Sequence, residues 1–183
     1  MKEINNLINI NLLKKLKGNN FNKYKHERFI FTNTVTGIIG IMIDNKSYEL
    51  TNEFKSIDYL GLDDEATFID LKEENWDDIK SITDNEIIVQ EVNEAIKDII
   101  VVNDNYKVYD NNVLTYDYTV TRSIIFKFNE YEISFSKQDC WFSQEIEVNK
   151  GYNLINKISS GEDLLEENDL NRKIVFTRNK ILI

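Results

Sequence analysis

An alternating pattern over residues 114–128 constrains the fold of this chain more than any other feature. Polar side chains take the odd positions except at Ile125, and large apolar side chains take the even positions except at Arg122. The apolar set is Leu114, Tyr116, Tyr118, Val120, Ile124, Phe126 and Phe128. Because side chains alternate between the two faces of a strand, the pattern predicts one long strand, or two in register, with one apolar face. Residues 129–130 then suit a two-residue hairpin turn, and the alternation resumes at 131–135.

A second strand region is predicted near the start of the chain. Residues 38–43 form a nearly continuous apolar run, which is typical of a strand buried on both faces. Gly37 and Gly40 indicate a bulge or a close approach of another part of the backbone. Turn residues follow at 44–46, so 47–50 are expected to return as the partner strand. Further strands are predicted at 29–35, 140–148, 152–158 and 173–178.

Three helices are predicted from apolar spacings of three and four. The N-terminal helix covers 4–16 and ends at Gly18. A central helix is expected over about 84–100, because Thr83 and Glu86 have the spacing of a capping box before an apolar stripe. A short acidic helix is expected at about 161–170.

Together these elements predict the α+β class, mainly an antiparallel sheet with the three helices. At 183 residues the chain is expected to form a single domain, 1–183. The polar loop near residue 20 leaves residues 1–20 as a possible detachable helical arm.

Composition excludes several classes of protein. One cysteine and one histidine supply neither a disulfide framework nor a structural zinc site. A net charge of −10 argues against direct nucleic-acid binding, which needs a basic surface. No uncharged apolar run approaches the length of a membrane span. We therefore expect a cytoplasmic protein without a cofactor, and neither nucleic acid nor a membrane as its partner.

The negative charge is concentrated in the middle of the chain. Residues 31–117 carry 6 basic and 20 acidic side chains, whereas residues 1–30 carry 7 basic and 2 acidic ones. An acidic surface steers a basic partner and accelerates association, although drift in an acidic protein produces such segments equally well. The candidate partner-binding residues here are Asp63, Asp64, Glu65, Glu73, Glu74, Asp77 and Asp78.

A second candidate surface lies in the strand predicted at 140–148. Trp141 shares a face there with Glu145 and Glu147, and an exposed tryptophan among acidic residues is typical of a binding hot spot. Alternatively, the last helix or a loop covers it.

Cys140 and His26 are the residue types of a nucleophile and its base, but the pattern predicts a buried thiol and a solvated loop histidine.

The leading hypothesis is a non-enzymatic, acidic protein-binding module. Its expected form is an immunity protein, an antitoxin or a phage-encoded inhibitor that blocks a basic target, for example a nuclease or a nucleic-acid-binding complex. Two alternatives stay open. One is a carboxylate-based hydrolase, with Mg²⁺ as a possible cofactor, and the other is a structural accessory subunit of a phage or mobile element. The sequence leaves the oligomeric state open.

Overall fold

A computed structural model describes residues 1–59, 61–138, 142–159 and 172–183. Strands make up 65% of the structure and helices 7%, in two largely antiparallel sheets. The elements of the described residues are β1 (Lys2–Asn6), α1 (Ile10–Leu16), β2 (Asn20–Glu27), β3 (Thr34–Thr36), β4 (Ile38–Ile43), β5 (Lys46–Tyr59), β6 (Leu62–Glu73), β7 (Ile87–Ala95), β8 (Asp98–Asp110), β9 (Val113–Lys127), β10 (Glu132–Lys137), β11 (Glu145–Gly151), a 3₁₀ helix (Leu154–Lys157) and β12 (Arg172–Leu182). The predicted α+β class is therefore wrong.

The seven-stranded sheet contains the long alternating strand. Its order is β12-β8-β9-β10-β11-β3, and β1 pairs in parallel with β9. The strand predicted at 114–128 is confirmed as β9, and so is the hairpin that joins it to β10. Val102 of β8 pairs with Ser123 of β9 and Asn103 pairs with Thr121, so the strand register skips position 122. This β-bulge breaks the strict alternation near the middle of β9.

The five-stranded sheet has the order β6-β5-β4-β2-β7, so β6 and β7 are its edges. The predicted strand at 38–43 and its return at 47–50 are confirmed as β4 and the start of β5. β4 pairs with β5 only as far as Thr51, and beyond it β5 and β6 continue as a hairpin. Residues Ile57 and Phe68 of this hairpin pack with Tyr118 in a second, smaller core.

The main core lies between the two sheets. Its largest fully buried side chains include Phe21 and Ile41 of the five-stranded sheet and Phe126 and Phe135 of the other. Phe21 contacts Phe126 edge to face, with ring centroids 5.2 Å apart. Such contacts add to the free energy gained by burial.

The predicted N-terminal helix forms only in its second half. Asn9 caps it, accepting hydrogen bonds from the backbone N–H groups of Asn11 and Leu12 at 3.1 and 3.2 Å. Residues 2–6 are strand β1 instead, because β9 offers them a parallel partner over five residues. In the first 20 residues, Leu13 and Leu16 are buried in the main core.

The central helix predicted at 84–100 is wrong. Its apolar residues recur every four positions, and four is close to one helical turn of 3.6 residues and is also twice the strand period of two. In the structure this region forms β7 and the start of β8, which pair with β2 and β9. Thr83 and Glu86 form no capping box, because Thr83 Oγ1 donates to Glu27 and Glu86 pairs with Arg28.

Other sequence predictions have mixed outcomes. The C-terminal helix at 161–170 lies outside the described residues. The strand predicted at 152–158 is wrong, since a 3₁₀ helix occupies 154–157. Of the strand predicted at 29–35, only β3 forms. The strand at 173–178 is confirmed within β12.

Residues 74–86 cross the outer face of the five-stranded sheet. Two glycines leave room for this crossing, Gly40 in β4 and Gly37 directly before it. A Cβ atom at Gly40 would lie 2.8 Å from Lys25 Cγ, whose side chain reaches Trp76 across this position. A Cβ atom at Gly37 would lie 2.5 Å from Ile82 Cδ1. The sequence predicted a bulge or a close approach of the backbone at these glycines, whereas in the structure the closest atoms belong to side chains.

Candidate functional site

Three of the predicted acidic residues lie at the tip of the β5–β6 hairpin. Asp63, Asp64 and Glu65 lie at the start of strand β6, just after Gly61, and Asp63 and Glu65 are exposed. The tip is fixed by Asp58, which pairs with Lys2 and accepts a hydrogen bond from the Gly61 N–H at 2.9 Å. Its acidic side chains therefore form one small surface of their own.

The other predicted acidic residues of this segment lie at the opposite end of β6. Ten residues separate Asp63 from Glu73, which corresponds to about 30 Å of strand. Glu73 ends the strand and Glu74 follows it, while Asp77 and Asp78 lie beside Trp76. Lys25 Nζ lies 4.4 Å from the centroid of the Trp76 ring and interacts with the charge of Asp77, so this acidic surface is partly neutralised. The structure thus separates the two clusters.

Glu145 and Glu147 lie on β11, opposite Thr36 and Thr34 of β3. Glu147 accepts hydrogen bonds from the side-chain amides of Asn33 and Asn149, at 3.3 and 3.0 Å. Trp141, the predicted hot spot beside them, lies outside the described residues, as does Cys140.

A buried carboxylate near these strands was not predicted from the sequence. Glu27 ends β2 and is only 5% exposed. Its Oε1 accepts a hydrogen bond of 2.5 Å from the Thr36 N–H, and its Oε2 accepts from Ser81 at 3.1 Å and from Thr83. Burial raises the pKa of Glu27, but these hydrogen bonds outweigh it and hold the pKa below its ordinary value. The carboxylate is therefore charged, and its described partners are neutral.

The loop that follows Glu27, residues 28–33, exposes large apolar side chains. We call it the apolar loop. Phe31 is 96% exposed and Ile30 is 65% exposed. The loop is nevertheless fixed at both ends: Arg28 N–H donates to the Glu86 carbonyl at 2.7 Å, and Val148 N–H donates to the Asn33 carbonyl at 2.9 Å. It therefore presents apolar side chains to solvent from a rigid base.

A cavity of about 170 Å³ opens beside the apolar loop. We call it the loop pocket. It is lined by side chains that include Glu27, Ile30, Phe31, Thr36, Asn85 and Glu145. One predicted acidic residue, Glu145, thus meets the unpredicted Glu27 in a single pocket. The sequence did carry a signal, since three consecutive large apolar residues at 29–31 do not fit a half-buried strand.

His26 lies beneath the apolar loop and is only 3% exposed, so its prediction as a solvated loop residue is wrong. Its ring stacks between Phe29, at 4.4 Å, and Tyr24, at 5.7 Å. Nδ1 donates to the Glu27 carbonyl at 2.6 Å, whereas Nε2 has no hydrogen-bond partner among the described residues. Burial lowers the pKa of His26, because a charged ring here would lose its hydration.

Among the described residues, no group of three or more histidine, cysteine or acidic side chains is placed to hold a metal ion. None of the helices in the same part of the chain is long and apolar enough to cross a membrane. Comparison with known proteins gives no assignment either: no family model, no curated protein and no solved structure matches this chain.

Proposed function

We propose that this chain is a non-enzymatic protein-binding module whose partner is a basic protein. In the form we favour, it acts as an inhibitor, such as an immunity protein, an antitoxin or a phage-encoded inhibitor. The target would be a nuclease or another nucleic-acid-binding protein, and binding would cover the basic surface that this target uses for phosphates.

The exposure of the apolar loop carries the proposal. Isolated apolar side chains are common on protein surfaces, but Ile30 and Phe31 are adjacent and stand out from a loop that is fixed at both ends. Protein interfaces typically combine a few such aromatic or aliphatic anchors with a polar rim. A rigid loop also loses little conformational entropy on binding.

The charge around the loop supports a basic partner. Glu145 and Glu147 of β11 lie beside the loop, and the buried carboxylate of Glu27 forms part of the pocket next to it. The whole chain carries a net charge of −10. A surface of this sign accelerates association with a basic protein and repels acidic ones.

The hydrolase alternative is not proposed. It expects Asp63, Asp64, Asp77 or Asp78 to line a concave pocket. Instead, Asp63, Asp77 and Asp78 are exposed, and about 30 Å of strand β6 separates the two pairs. A pair of adjacent carboxylates on an exposed surface ordinarily stays solvated and binds no ion with useful affinity.

The proposal is tested by photo-cross-linking in cells of the source organism. A photoreactive amino acid replaces Phe31 in one variant and Leu62 in the matched control, because Leu62 is also exposed (72%) but lies at the hairpin tip. We expect position 31, and not position 62, to capture a protein of basic isoelectric point. The affinity of the purified pair should then fall as the salt concentration rises.

Three outcomes would contradict the proposal. Capture of a second copy of the same chain from position 31 would instead support a self-assembling accessory subunit. Equal capture from both positions would show that the apolar loop has no special role. An affinity that does not change with salt would exclude a partner recognised through its basic surface.

A further inference from the structure

The loop pocket holds more negative charge than its described residues neutralise. Glu27 is bonded there to neutral donors, the Thr36 N–H and the hydroxyls of Ser81 and Thr83. The Glu145 carboxylate makes no hydrogen bond or ion pair with any described side chain. Arg28 also lines the pocket, but its Nη1 pairs with Glu86 at 2.9 Å. Among the described residues that line the pocket, therefore, neither carboxylate is paired with a cation.

We propose that the loop pocket receives a single arginine side chain of the partner. This inference rests on the proposed function, because the arginine is expected to belong to the basic protein that covers the apolar loop. It adds a specific contact to that function, namely a cationic side chain that enters beside Phe31 and neutralises Glu27 and Glu145.

The size of the loop pocket fits one side chain. At about 170 Å³ it has room for about six water molecules, comparable to the heavy atoms of one arginine side chain. Pockets for small-molecule ligands are usually larger, from about 300 Å³ upward. The volume of this cavity thus matches one long side chain.

The chemistry of the lining favours a guanidinium group. Both oxygens of Glu27 already accept hydrogen bonds, so Glu27 acts as a fixed negative charge, whereas the carboxylate of Glu145 is available for direct bonding. The hydroxyls of Thr32 and Thr34 also line the pocket and add acceptors for the remaining N–H groups. Ile30 and Phe31 form an apolar wall for the stem, and a guanidinium also stacks on an aromatic ring.

The test is an NMR titration of the full chain, without any partner, with N-acetyl-arginine methylamide. The amide signals of Thr36 and Asn85 report on the pocket, since both residues bond to Glu27. We expect saturable shifts at these two signals. The corresponding citrulline derivative, which has the same shape without the charge, should cause none.

The matched variant is Glu145→Gln, which removes one charge and breaks no side-chain contact within the described structure. We expect its affinity for the arginine derivative to fall at least about fivefold, in line with the loss of one charge-assisted hydrogen bond. Equal shifts with citrulline, an unchanged affinity in Glu145→Gln, or shifts as large at Asp63, Asp64 and Glu65 would overturn the inference. The last result would show attraction to the acidic chain as a whole.

The failure of this inference is distinguishable from the failure of the proposed function. A flat titration, together with capture of a basic protein from position 31, overturns the arginine pocket and leaves the binding module standing. Saturable shifts with the arginine derivative, without capture of a basic protein from position 31, would support the arginine pocket and overturn the proposed function. The pocket would then bind a guanidinium group that does not belong to a basic partner.

Discussion

The apolar loop at 28–33 and the hairpin tip at 61–65 are both exposed bends of the chain, but different contacts hold them in place. Both expose a large apolar side chain next to acidic residues, Phe31 in one and Leu62 in the other. The buried carboxylate of Glu27 anchors the first region through hydrogen bonds, whereas Asp58 anchors the second through an exposed ion pair with Lys2. Negative charge alone therefore does not distinguish a binding surface. The apolar loop differs from the hairpin tip in the pocket that adjoins it, and we propose this difference as the mark of the partner-binding surface.

The two regions should differ most in how much their anchoring carboxylates, Glu27 and Asp58, contribute to the free energy of unfolding. Glu27→Ala should lower the free energy of unfolding by about 2–4 kcal/mol, because it leaves the Thr36 N–H and two hydroxyls without their acceptor. Asp58→Ala should cause a much smaller change, since water replaces its contacts. Urea denaturation of both variants measures this, and similar losses would show that the two anchors are equivalent.

The next largest difference is expected in the stability lost when Gly37 or Gly61 is replaced by alanine. Gly37 and Gly61 both have positive φ, at +72° and +82°, but only Gly37 has a neighbour where a Cβ atom would lie. Gly61→Ala should cost about 1 kcal/mol from backbone strain alone, and Gly37→Ala about 2–3 kcal/mol because Ile82 must also move. Thermal unfolding of the two variants checks the order. A larger loss at Gly61 would mean that residues 74–86 do not pack on the sheet as described.

Within the apolar loop, the two phenylalanines should behave differently. Phe29 stacks on His26, so Phe29→Ala is expected to lower the free energy of unfolding by about 1–2 kcal/mol. Phe31 is almost fully exposed, so Phe31→Ala should change it by less than about 0.5 kcal/mol. Equilibrium denaturation separates these values. A large loss in Phe31→Ala would indicate that this side chain is part of the core and not of a binding surface.

The two regions should also respond to acid in different pH ranges. Burial lowers the pKa of His26 below its ordinary value of 6.5, so below pH 6.5 the unfolded chain binds a proton that the folded chain does not. Stability near the apolar loop should therefore decline as the pH falls below 6.5. The pairing with Lys2 lowers the pKa of Asp58 below 3.8, so the contribution of Asp58 is kept until the pH falls below that value.

The single histidine makes this prediction easy to measure, because its ring gives one set of NMR signals. We expect a titration midpoint below 6.5. A midpoint at or above 6.5 would mean that the ring is solvated or paired with an acidic group, which would contradict its place between Tyr24 and Phe29.

The sequence was sufficient to predict local strand pairing but not the fold class. The alternation at 114–128 and the turn at 129–130 act over neighbouring residues, and both predictions agree with β9 and β10. The region at 84–100 fails because Ile88, Val92 and Ile96 have a spacing that suits a helix and a strand alike. The pairing of β7 with β2, some 60 residues away, decides between them, and no local pattern reveals it.

The candidate site was predictable only in part, for the same reason. Glu145 was identified as a candidate from its neighbours in sequence. Glu27 was identified only from its hydrogen bonds with Ser81 and Thr83, which lie more than 50 residues away along the chain. A carboxylate that is fixed by distant hydroxyl groups leaves no spacing that a sequence pattern can show.

The most direct test of the central claim is the affinity of the purified chain for the basic partner captured from position 31. Phe31→Ala and Leu62→Ala are compared by isothermal titration calorimetry, since both remove an exposed apolar side chain. We predict that Phe31→Ala weakens binding at least about tenfold, or about 1.4 kcal/mol, and that Leu62→Ala stays within about twofold of the unchanged chain. Equal effects of the two substitutions, or full affinity in Phe31→Ala, would contradict the assignment of the apolar loop as the partner-binding surface.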